Sequence, residues 1–252
     1  MKYAAAPVVI LALVWAVAPW ASAAALHVEA GASRDVLSAS YADWHGSYVE
    51  ASWTNAPRQV TYGSVRTSKR FNLYDSEVLA GASFPLFEHW IFLVEANASP
   101  THSVLPHGSG LLQIEATLAG GIGAQLGIRH TQYNDVWSNQ VNVTLERYYG
   151  NHYASGTLFS GQLEGGGSPA SQRVQWRYYY GDASHVGLSY TRGIEIEHAP
   201  NNRTLTSDIR TMSLGGRHEL TPEWAASFEL LRHEQGTSYV RRGLRVGLRF
   251  RY

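Results

Sequence analysis

At its carboxyl end the chain alternates without a break: Leu244, Val246, Leu248, Phe250 and Tyr252 are separated by Arg245, Gly247, Arg249 and Arg251. A period of two describes an extended strand, here with one greasy face and one cationic face. Three arginines on one face cannot enter a dry core unless each finds a partner, because an unpaired buried charge is costly. A polar, hydrated lumen with the greasy face turned to lipid houses both sides of such a strand. This segment therefore constrains the chain more than any other: it points to a membrane β-barrel rather than a soluble sandwich.

The same period recurs upstream. Leu112, Ile114, Ala116 and Leu118 alternate with Gln113, Glu115 and Thr117; Ile122, Ala124, Leu126 and Ile128 alternate with Gly123, Gln125, Gly127 and Arg129. Val174, Trp176, Tyr178 and Tyr180 leave Arg173, Gln175 and Arg177 on the other face, whereas 59–66 and 153–163 fit either register. Lys2 precedes an apolar run from Val8 to Val17 and the small residues Ala21, Ser22 and Ala23, the pattern of a cleaved secretory leader. The domain reading is a signal peptide over 1–23 and a barrel over 24–252. Cysteine is absent, which excludes a disulfide framework, thiolate metal ligation and a lipidated cysteine. Basic and acidic residues balance at 20 each, so no strong field draws nucleic acid. The terminal strand also resembles the signal that outer-membrane proteins present to the barrel-insertion machinery, with Leu248, Phe250 and Tyr252 as its apolar positions.

Counting the segments predicts an all-β, transmembrane, antiparallel up-and-down barrel of about fourteen strands, with about twelve as the alternative count. Short turns at 55–57, 86–88, 120–121, 150–151, 182–183 and 220–222 alternate with longer connections such as 99–108, 165–169 and 198–206. Short turns belong in the periplasm of an outer-membrane barrel, which puts both termini there and gives lipids and lipopolysaccharide as neighbours. Aromatics sort into two expected girdles. Trp53, Phe84, Phe87, Trp90, Tyr148, Tyr149, Tyr178, Tyr179, Tyr180, Trp224 and Tyr252 lie beside the short turns; Tyr41, Trp44, Phe71, Tyr74, Tyr133, Trp137 and Tyr239 lie beside the opposite connections.

Several runs carry a resemblance. Ser33-Arg34-Asp35 with Tyr41, Asp43 and Trp44, Ser99-Pro100-Thr101-His102 leading to Leu105-Pro106, Arg129-His130-Thr131, Leu145-Glu146-Arg147-Tyr148, Tyr179-Tyr180-Gly181-Asp182, and His233-Glu234-Gln235-Gly236 with Arg241-Arg242-Gly243 together resemble the YaiO family of outer-membrane barrels. The resemblance implies fold and location. Related barrels are associated with exopolysaccharide export, which makes polysaccharide-export components expected partners.

Projecting the strands inward assigns Glu29, Glu50, Glu95, Glu115 and Glu146 to the first eight strands, and Arg173, Arg177, Arg217, Arg245, Arg249 and Arg251 to the last five. Arg129 and Glu229 are the exceptions. Two arrangements follow: Arg245 and Arg249 reach Glu29 and Glu50 at the seam and fill the lumen, or the two arcs face each other as a transverse field at a constriction. Inward Tyr48, Tyr148 and Tyr179 suit stacking on sugar rings, wall packing or anchoring at the membrane interface. The favoured function is a narrow conduit for polar solutes or exopolysaccharide. The alternatives are a closed structural or surface-binding barrel and, from another class, a lipid-modifying enzyme using His102 with Ser103, or His130 with Ser138 and Asn134. No metal-ligand spacing follows His218-Glu219 or His233-Glu234, so neither a metal nor a cofactor is expected.

Overall fold

The computed structural model describes residues 25–38, 41–181, 183–199 and 203–252. The leader assigned to 1–23 lies outside the described residues. Fourteen strands follow one another in chain order: β1 (Ala25–Leu37), β2 (Trp44–Ala56), β3 (Gln59–Arg70), β4 (Leu73–Phe87), β5 (Trp90–Ala98), β6 (Gly108–Thr117) and β7 (Ile122–Gln132) form the first half. The second half is β8 (Trp137–Tyr149), β9 (His152–Leu163), β10 (Ala170–Tyr179), β11 (His185–Ala199), β12 (Arg203–Glu219), β13 (Trp224–Gln235) and β14 (Tyr239–Arg251).

Each strand pairs antiparallel with its neighbours, and β14 closes onto β1 from His27↔Arg251 to Leu37↔Arg241. Closure is what lipid demands, since a free edge would leave backbone amides and carbonyls without partners. An even strand number returns both termini to the end that carries the 57–58, 150–151 and 220–223 turns. The longest connection, 99–107, sits at the other end. There the β3–β4 hairpin turns on Phe71 and Asn72, both at positive φ, 51° and 63°, the left-handed pair that suits a two-residue turn between twisted strands.

The barrel is inside-out relative to a soluble protein. Leu244, Val246 and Leu248 stand about half exposed on the outer surface, while Glu29, Arg245 and Arg249 face in. The ambiguous segments are resolved by pairing: Tyr62, Ser64 and Arg66 share the inner face with Glu50, and Tyr153, Ser155 and Thr157 share it with Glu146.

Two sequence expectations change. The connection placed over 198–206 is mostly strand, because β11 and β12 continue to pair through Ala199↔Arg203. Above the membrane a hairpin needs no greasy face, so apolar periodicity stops being a guide while backbone pairing continues. The second aromatic girdle is also largely an interior feature. Leu37, Trp44 and Tyr239 bury one another on the inner side of the wall with Phe71 packed against them, and Tyr41 joins at 5.8 Å from Phe71. Tyr74 alone of that set is strongly exposed, at 69%.

Candidate functional site

The functional surface of such a molecule is the lumen wall, and its lowest layer is glycine. Gly31 and Gly247 flank the position where the Tyr48 ring lies; a Cβ on Gly31 would stand 2.5 Å from the ring, and one on Gly247 would stand 2.6 Å from Ser227 Oγ and 2.7 Å from Glu29 Oε1. With that floor empty, Tyr48 Oη donates to Glu29 at 2.7 Å and Ser227 Oγ donates to the same oxygen at 2.7 Å. Gly81 offers the same slot to Tyr62, which donates to Glu95 at 2.9 Å. Tyr48 and Tyr62 therefore lie along the wall instead of crossing the lumen.

Ion pairs occupy one sector. Glu50 receives Arg245 at 3.3 Å and Arg66 at 3.7 Å, and Arg66 also approaches Glu77 at 3.8 Å. Arg245 lies over the Tyr48 ring at 3.8 Å. Glu95 pairs with Arg129 at 2.9 Å, and Arg129 also donates to Ser109. Of the two seam arginines expected to reach acids, Arg245 makes its pair. Arg249 is the Cα partner of Glu29, whose Oε1 accepts the Tyr48 and Ser227 hydroxyls.

The remaining charges stay apart. Glu115 and Glu146 are held by neutral donors, Gln113 in one case, Gln125 and Tyr153 in the other. Arg173, Arg177, Arg217, Arg249 and Arg251 project inward from β10, β12 and β14, and none has a carboxylate in ion-pair contact among the described residues. Arg173 lies over Phe159 at 5.2 Å and Arg177 over Tyr153 at 5.4 Å, continuing into Tyr148 and Tyr179. The expected residues all face inward. Register adds Asp35, Arg66, Asp75, Glu77 and Arg241, which the sequence reading missed. For Arg66 the signal was masked because Val60 and Val65 fall on opposite faces.

A cavity of about 390 Å³ runs from Glu29 and Glu50 across to Arg177, Arg217 and Glu229. A second of about 270 Å³, lined by Tyr62, Arg66, Glu95 and Arg249, shares Glu29 and Glu50 with it. At the outer mouth the 99–107 loop folds onto the inner face of β4, where Asp75 accepts the backbone N–H groups of Ser103, Val104 and Leu105 at 2.7 to 2.9 Å. Beside it, burial pushes the Tyr133 phenol up to about 12. Arg70 and Arg241 bracket the Trp44 ring at 5.0 and 4.9 Å.

Of the candidate hydrolytic pairs, the wall separates His130 from Ser138. His130 and Ser138 lie on opposite faces of the wall, since Ser138 is the inward partner of Thr131, and His130 hydrogen bonds to Asn139 at 2.8 Å. His102 Nδ1 meets the Ser99 carbonyl at 3.0 Å, and Asn134 donates to the His102 carbonyl.

A closed barrel with an apolar exterior, a charged and hydroxyl-rich lumen and an aromatic belt at its short-turn end defines an outer-membrane β-barrel protein. Solved structures agree on the fold. OmpT, an outer membrane protein of Vibrio cholerae, is 10% identical with a TM-score of 0.52, covering 91% of this chain and 97% of its own. The anion-selective porin from Comamonas acidovorans is 11% identical with a TM-score of 0.50, covering 91% and 98%. OpdO of Pseudomonas aeruginosa is 8% identical at a TM-score of 0.50, covering 91% and 96%. No curated protein sequence matches. The YaiO membrane beta barrel domain matches residues 26–197, and the chain belongs to the YaiO family.

Proposed function

We propose that the barrel is a narrow conduit for polar solutes of saccharide type, working with polysaccharide-export components on the periplasmic side. The observation that carries this reading is the glycine floor: Tyr48 and Tyr62 lie flat in slots left by Gly31, Gly247 and Gly81, so polar side chains line the cavities without spanning them. Hydroxyls, amides and charges then replace the hydration of a passing polyol, and the exposed Tyr148 and partly buried Tyr179 rings offer stacking faces near the periplasmic rim. Glu115 and Glu146 on β6 and β8, set against the unpaired arginines of β10, β12 and β14, form a transverse field that orients polar solutes. On the same reading, residues 1–23 are removed during export, and Leu248, Phe250 and Tyr252, all on the outer face, are recognised by the insertion machinery.

The test is single-channel recording from the refolded barrel in planar bilayers. Expected are stable openings interrupted by soluble oligosaccharides, with conductance altered in Arg249→Gln and Glu115→Gln. A well-inserted barrel that stays silent after removal of residues 99–107 would overturn the conduit. A closed scaffold is the second reading, favoured by the inward 99–107 loop and the Trp44 cluster, both at the outer mouth.

A further inference from the structure

The outer surface of β11 to β14 holds a feature that the lumen does not explain. Each strand's outward row runs from the short-turn end and meets an arginine near its outer end, within two residues of register from one strand to the next. Leu188 and Tyr190 lead to Arg192 on β11, and Leu230 leads to Arg232 on β13, with Arg210 and Arg242 on the strands between and beyond. Register sets these cations directly against one another: Arg192 is the Cα partner of Arg210, and Arg232 of Arg242. Like charges directly opposite in a sheet are destabilising, so two such pairs side by side need a reason.

Neighbouring carboxylates do not supply it. Glu234, the Cα partner of Arg210, pairs instead with Arg232 at 2.8 Å, and Asp208 stands exposed on the same face, which leaves two acids for four guanidinium groups. Arg192, Arg210 and Arg242 are exposed and have no carboxylate in ion-pair contact among the described residues. On the flank, Arg34 of β1 also faces outward, beside Leu244, but Asp43 pairs with it at 2.8 Å, and on β7 and β8 the outward pair is His130 with Asn139.

Depth identifies the occupant. From the Trp224 girdle to Arg232 the outward row covers ~26 Å at roughly 3.3 Å per residue, or ~20 Å along a barrel axis from which strands tilt about 40°. That height falls ~5 Å short of the ~25 Å apolar band of outer-membrane barrels, a gap that an arginine side chain spans by snorkelling, so the guanidinium groups reach the outer interface with greasy rows beneath them. We propose that this patch binds the phosphorylated head group of an outer-leaflet glycolipid of the lipid A type. Guanidinium forks pair with phosphate oxygens bidentately, and the acyl chains lie along the apolar rows. The bound phosphates then neutralise the repulsion that the bare sheet carries.

The test uses the folded barrel in neutral detergent, with lipid binding counted by native mass spectrometry. Bisphosphorylated lipid A is expected to bind at least tenfold tighter than the same lipid with both phosphates removed. The Arg192→Gln/Arg242→Gln variant is expected to lose at least tenfold in that affinity, while Arg147→Gln, outward at the opposite end, leaves it unchanged. Stability reverses sign with the surroundings: relative to the parent, Arg192→Gln unfolds at the same or higher urea in lipid-free detergent and at lower urea in vesicles containing lipid A. Equal binding of the dephosphorylated lipid would overturn the proposal, as would undiminished binding by the double variant. Displacement of lipid A by an equal concentration of pyrophosphate would show a bare anion site and overturn the glycolipid assignment.

Discussion

Gly247 shows how much of the lumen depends on an absent atom. A methyl there falls among Tyr48 Oη, Ser227 Oγ and Glu29 Oε1, three groups already tied together by hydrogen bonds, so moving one to relieve the contact breaks the others. Overpacking of this kind costs about 1 to 3 kcal/mol. Gly247→Ala is therefore expected to lower the unfolding free energy, read from urea titration in vesicles, by that amount, with a matching fall in the midpoint. Gly156→Ala, where nothing lies within 4 Å of the new atom, should leave the midpoint unchanged. Tyr48→Phe removes the nearest oxygen, and combined with Gly247→Ala it should cost less than the sum of the two single changes. Strict additivity would mean that Tyr48 does not occupy the slot. Neither partner was legible as such: the sequence shows alternating inward positions, but not that glycine on one strand makes room for tyrosine on the next.

Among the elements, the strands announced themselves, and the 99–107 loop did so as a connection but not as one folded inward onto β4. Period-two alternation is a physical consequence of one face meeting lipid, so β6, β7, β10 and β14 were readable residue by residue. The lumen assignments on those strands came with them. Where lipid is not the judge the signal fades, as at the extended β11–β12 hairpin and at the Trp44 cluster, whose aromatics sit at girdle height yet point inward. Asp75 leaves no periodic trace at all. Its carboxylate is 3% exposed and collects three successive amides of a loop about thirty residues away. Hydrogen bonds to a charged group are worth roughly 1.5 to 3 kcal/mol each, part of which water returns when the loop opens. Asp75→Ala is expected to release the loop by about 3 kcal/mol, seen as roughly hundredfold faster amide exchange at 103–105. Exchange in the β4 and β5 ladders should stay slow. Acceleration across the whole barrel would show that Asp75 supports the wall instead of the loop.

Taken whole, the molecule is a charged cylinder in a greasy sleeve, and the height of the sleeve decides which surfaces meet lipid and which meet water. A spanning strand needs about 9 to 11 residues, whereas β11 and β12 have 15 and 17, so their outer ends project beyond the hydrocarbon. An arginine placed on the lipid face probes this directly, because its cost is about 2 to 4 kcal/mol at the midplane and about 0 to 1 near the interface. Val246, half exposed at the middle of β14 and opposite Phe228, sits at the midplane. Ile194 is also outward and exposed, but lies beyond Arg192, opposite Asp208. Val246→Arg is expected to lower stability in vesicles by about 2 to 4 kcal/mol and Ile194→Arg by less than about 1 kcal/mol. Equal losses would bring the upper hairpin into the bilayer and lower the outer arginine patch to a depth where phosphate cannot reach it. The predicted inequality instead fixes the outer boundary between Tyr190 and Ile194, the height at which cations on the barrel surface can meet lipid head groups.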